Sequence, residues 1–120
     1  MRVNKRPLSV TIIAWIYLIM GVVGFVYHLI MQNSLHPFPF DVLWVELIFL
    51  TAIASGAYTL RGHNWARWLA LAWIAFHVVL SIFHNLPELA IHALLCAVLA
   101  FFLFRSAASR YFGPAGPKPA

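Results

Sequence analysis

The run "LSVTIIAWIYLIMGVVGFVYHLIM", Leu8 to Met31, decides the fold. It holds about 24 residues without a single Asp, Glu, Lys or Arg. A helix rises about 1.5 Å per residue, so a run of this length crosses a hydrocarbon core about 30 Å thick. Three further apolar runs of roughly 19 to 21 residues, at about 40–60, 65–84 and 86–104, hold one or two charged residues each and are again long enough to cross. Open strands would leave unpaired backbone groups in lipid, so the expected form is helical. The first run is too long for a cleavable signal peptide, and no small-x-small cleavage site follows it. Pro7 stands where a first helical turn tolerates proline.

Composition agrees. Of 120 residues, 63% are hydrophobic and 9% charged, and the mean hydropathy is +0.87. Soluble domains carry about a quarter charged residues, and so few charges would not cover a water-exposed surface. The length suits one domain. The single cysteine, Cys96, excludes an intrachain disulfide and a cysteine-based zinc site. The links are short. "QNSLHPFPFD" (Gln32 to Asp41) joins the first two helices, "RGHN" (Arg61 to Asn64) the next pair, and "HNLPEL" (His84 to Leu89) the last. Short links predict antiparallel neighbours. The expected architecture is all-α, an integral-membrane four-helix bundle over 1–112, with 113–120 as a disordered cytoplasmic tail. Gly62 is placed to end the second helix in a left-handed conformation. "RSAASRYF" (Arg105 to Phe112) is expected to extend the fourth helix along the membrane surface.

The net charge of +5 reads as topology. Arg2, Lys5 and Arg6 precede the first helix, Arg61 and Arg67 flank the second link, and Arg105, Arg110 and Lys118 follow the fourth helix. All of the basic residues therefore fall on one side, which the positive-inside rule makes cytoplasmic, with both termini. Trp65 and Trp68 stand at that interface, and Phe38, Phe40 and Trp44 at the other, the levels that amphipathic rings prefer. Basic residues sorted by membrane side rather than clustered argue against nucleic-acid binding. The expected location is the inner cell membrane, with the lipid bilayer as the first partner.

"RPLSVTIIAWIYLIMGVVG", "RGHNWARWLAL" and the late "SRYF" resemble features of small bacterial four-helix membrane proteins of unknown function. In those a G-x-x-W-A-R turn links the second and third helices, here Gly62, His63, Asn64, Trp65, Ala66 and Arg67. The resemblance implies a bacterial inner-membrane protein and no particular activity.

Polar residues in the outer half are the candidate site. Glu46 is about five residues inside the outer end of its helix, His77 about seven and His92 about six. They share a level on the order of 8–10 Å below the boundary, with His28 slightly shallower. Tyr17, Gly21, Gly24 and His28 share a face, as do Glu46, Ile53 and Gly56. Small residues mark close helix approach, so His28 and Glu46 are expected to face the bundle, where His77 and His92 would meet them. Neutral imidazoles with a carboxylate suit zinc or another divalent transition metal, and two His on different helices suit a haem iron. The alternative is polar packing between helices, and no H-x-x-x-H or H-E-x-x-H pattern is present. Asn85-Leu86-Pro87-Glu88 reads as a helix start with Asn as N-cap and Glu three residues later, which makes Glu88 a capping residue.

No nucleotide motif, nucleophile constellation or pair of catalytic carboxylates is present, so the chain is not expected to be an enzyme. The first expectation is a non-catalytic accessory subunit, or a self-associating bundle as homo-oligomer or within a larger membrane complex. The second is a metal- or haem-binding membrane protein, and the third a small-solute or proton-coupled transporter. Small multidrug exporters have similar size but need a carboxylate on the first helix, which is missing here.

Overall fold

The apolar runs wind into four long helices and the C-terminal segment into a fifth, short one. A computed structural model describes residues 5–32 and 40–113. The helices are α1 (Leu8–Gln32), α2 (Phe40–Leu60), α3 (Asn64–Ile82), α4 (Leu86–Phe104) and α5 (Ser106–Phe112). The first four are long and apolar enough to cross a membrane. The described residues form an all-helical body with extents of 61 × 30 × 19 Å. Residues 114–120 of the expected disordered tail and most of the first link lie outside the described residues.

Helix ends follow from local chemistry. Gly62 adopts φ +82°, a conformation that costs other residues a Cβ clash. There His63 N–H donates to Tyr58 O and Gly62 N–H to Thr59 O, the paired bonds that close a helix C-terminus. At the next turn Asn85 caps α4: its side chain accepts from Glu88 N–H at 2.8 Å, and Pro87 lies in the first turn. α3 stops at Ile82, so His84 belongs to the turn instead of ending the helix. The expected continuation of α4 is corrected. Arg105 takes ψ 167°, breaks the helix and starts α5 as a separate element.

α1 and α2 share the most extensive contact, followed by α3 with α4 and α2 with α3; α1 touches α4 only sparsely. Along the first interface Arg6 reaches Leu60 O, Gly56 faces Ala14 and Leu18, Gly21 faces Ile53, Gly24 faces Phe49, and His28 meets Glu46. The buried core joins Val10, Ile13 and Tyr17 of α1 to Ala52, Ala70, Ile74, Leu99 and Leu103, and is closed below by Ala108 and Phe112 of α5. Apolar burial is thus concentrated toward the basic end, while the polar pairs occupy the other.

Candidate functional site

Two pairs of polar side chains are set between helices. In the first, Gly21 and Gly24 let α2 lie close against α1, which brings His28 beside Glu46. His28 Nδ1–H donates to Glu46 Oε1 at 2.5 Å, a hydrogen bond that becomes an ion pair when the ring takes a second proton. Glu46 is 7% exposed, and its second oxygen, Oε2, is buried with no hydrogen-bond partner. The pair is a charge-assisted clasp between α1 and α2, of the strong kind when both partners are ionised.

The second pair joins α3 to α4. His77 Nδ1–H donates to Trp73 O at 2.8 Å, one turn earlier on the same helix. The hydroxyl of Ser81 donates to His77 O at 2.7 Å and lies 2.6 Å from His92 Nδ1. A serine hydroxyl has one proton and a carbonyl none. Both contacts are met only if His92 Nδ1–H donates to Ser81 Oγ. The two imidazoles lie 5.8 Å apart between centroids. His77 also stacks on Trp73 at 4.0 Å.

The expected four-donor convergence is corrected to these two separate pairs. Among the described residues no group of three or more His, Cys, Asp or Glu is placed to hold a metal ion. Zinc asks for three or four protein ligands, so neither pair is a zinc site by itself. Nor does the cleft that His92 lines have room for a haem. The cleft beside His92 measures about 180 Å³, and a 150 Å³ cavity is about what one benzene ring fills. The cap of α4 is Asn85, as read from the sequence, but the Glu88 carboxylate takes no capping bond from Asn85 N–H: it lies 3.4 Å from Asn85 Nδ2 and 3.2 Å from His84 Nδ1 on the exposed turn, away from both pairs.

Two interhelical bonds were not singled out in the sequence. Tyr17 hydroxyl donates to Ala70 O at 2.6 Å, joining α1 to α3. Trp73 Nε1–H donates to Ile48 O at 2.8 Å, joining α3 to α2. The available signal was position. Trp73 stands about nine residues inside an apolar helix long enough to cross a membrane, a place where an indole N–H needs a partner within the protein.

The basic end is laced together similarly. Arg67 donates to Leu103 O at 3.1 Å and to Ser109 Oγ at 3.2 Å, and its guanidinium lies 4.5 Å over the Phe104 ring. Tyr111 hydroxyl donates to Leu60 O at 2.7 Å, and Arg6 donates to the same carbonyl. These donors meet the carbonyls that the last turns of α2 and α4 leave unpaired, and the cations complement the negative dipole end. No protein-family profile, no curated protein and no solved structure matches the chain.

Proposed function

We propose that this chain is a multi-pass bacterial inner-membrane protein that acts as a non-catalytic subunit, either self-associating or accessory to a larger complex. One observation carries the reading: four pairs of helices are each bridged by a buried or half-buried polar side chain. His28 holds Glu46, Tyr17 holds Ala70, Trp73 holds Ile48, and Ser81 holds His92, so α1–α2, α1–α3, α2–α3 and α3–α4 each have a polar clasp. Such side chains act as glue between membrane helices, where the hydrophobic effect supplies little. The order of contacts from Arg6–Leu60 to His28–Glu46 supports an antiparallel bundle, and the basic distribution supports cytoplasmic termini. The resemblance carried by Gly62 to Arg67 belongs with the same proposal.

Native mass after mild solubilisation tests the subunit role. The expected result is a particle heavier than one chain plus detergent, with its composition separating self-association from an accessory role. A single monodisperse chain overturns it. Topology is tested by impermeant maleimide labelling of intact cells carrying Leu86→Cys or Asn64→Cys, each on a Cys96→Ala background. Labelling at position 86 alone is expected; labelling at 64 alone reverses the orientation.

A further inference from the structure

The sparse contact between α1 and α4 leaves a cleft beside the second pair, about 180 Å³ in volume. Ile13, Ile16 and Met20 of α1 form one wall, and Leu95 and Leu99 of α4 the other. Tyr17, Trp73 and Ile74 close the back, and His92 stands at one end. From His92 to Leu99 the cleft runs seven residues along α4, on the order of 10 Å. Ile16 and Leu95 on the two lips are both exposed, so the opening faces sideways, toward lipid in the proposed bilayer.

The polar atoms of the back wall are already committed. Tyr17 hydroxyl is bonded to Ala70 O and Trp73 Nε1 to Ile48 O. His92 is the one lining side chain with a nitrogen left over. Its Nδ1–H is directed at Ser81 Oγ, because the serine proton goes to His77 O. In its neutral form the ring then keeps Nε2 as a lone-pair acceptor, and His92 is among the side chains that line the cleft. No charged side chain lines the cleft. It thus matches a neutral, flat, single ring with a hydroxyl donor at one end. The volume has room for one ring and little more, given that a 150 Å³ apolar cavity takes benzene. Any tail must leave through the gap between α1 and α4.

We propose that this cleft is a binding site for the hydroxylated ring of a membrane-soluble phenol or quinol, with the ring hydroxyl donating to His92 Nε2 and the tail lying in the bilayer. The site involves no metal, and no electron transfer is assigned to it.

The test uses full-length protein in lipid nanodiscs and a diazirine-bearing alkylphenol as photolabel, with adducts mapped by mass spectrometry. The competitors are 4-hexylphenol, its methyl ether 4-hexylanisole, and an alkyl hydroquinone with its oxidised quinone. Saturable labelling is expected on the Ile13–Met20 and His92–Leu99 stretches. The phenol should compete about 2- to 12-fold better than the anisole, the range that one hydrogen bond supplies. The hydroquinone should likewise outcompete its quinone; a hydroquinone tighter than the phenol identifies a quinol as the source, and equal affinity identifies phenols generally. His92→Leu should erase the phenol-over-anisole preference while leaving some labelling. Ile16→Phe, on the exposed lip and outside the core, should reduce labelling if the histidine variant does not fold. Labelling that does not saturate, that spreads evenly over lipid-facing residues, or that treats phenol and anisole alike in the unaltered protein overturns the proposal.

Discussion

Glu46 brings a carboxylate into an apolar interface, and His28 meets only one of its oxygens. Removing one partner of such a pair strands the other without a bond, which costs more than removing both. His28→Ala should therefore lower stability by about 1–3 kcal/mol. The double variant His28→Ala/Glu46→Ala should lose less than the sum of the two single losses. Reversible unfolding in mixed micelles measures the cycle, and additive losses would show that the two side chains are not coupled. That both residues stand within long apolar runs and face a neighbouring helix was legible. That they meet each other and not His77 or His92 was not legible, because the rotation of each helix about its axis is set by packing.

At the scale of the element, α1 and α2 approach through Gly56, where an added Cβ would lie 2.6 Å from Ala14 O and 2.9 Å from Leu18 N. Those are backbone atoms of a neighbouring helix and have nowhere to go. At Gly24 the obstruction is the Phe49 ring, which can turn aside. Gly56→Ala should cost about 1–3 kcal/mol, as overpacking does, and Gly24→Ala distinctly less. Comparing their unfolding midpoints at constant denaturant slope checks the ranking; equal midpoints would mean that the helices separate freely. Helix extents were readable from run length and turn residues to within two residues. The break at Arg105 was not, since "FRSAASRYF" contains no proline or glycine before Gly113. What holds α5 apart from α4 is tertiary: Phe112 and Ala108 are buried in the core, and Tyr111 reaches across to α2.

For the molecule as a whole, the basic end acts as a collar. Arg67 links α3 to α4 and α5, Tyr111 links α5 to α2, Arg6 links the chain before α1 to α2, and Arg105 donates to Ser9 Oγ at 3.1 Å. Arg67→Ala removes donors from the Leu103 carbonyl and from Ser109, along with ring contacts to Phe104 and Phe112. A charged hydrogen bond contributes about 1.5–3 kcal/mol, so trypsin cleavage after Arg105 should accelerate on the order of tenfold or more. Unchanged cleavage would mean that α5 is held by its core contacts alone.

Sequence alone determined the number of long helices, their limits, the two sharp turns and the gathering of basic residues at alternate links. These depend on run length, capping chemistry and side-chain charge, which are local quantities. It also identified which polar residues stand well inside the apolar runs. Only the tertiary structure decided their partners, the separation into two pairs, the backbone bonds of Tyr17 and Trp73, and the cleft beside His92. Those depend on how far each helix is turned and how closely it approaches. The atoms responsible, Gly56 against Ala14 and the sparse meeting of α1 with α4, are far apart in the chain.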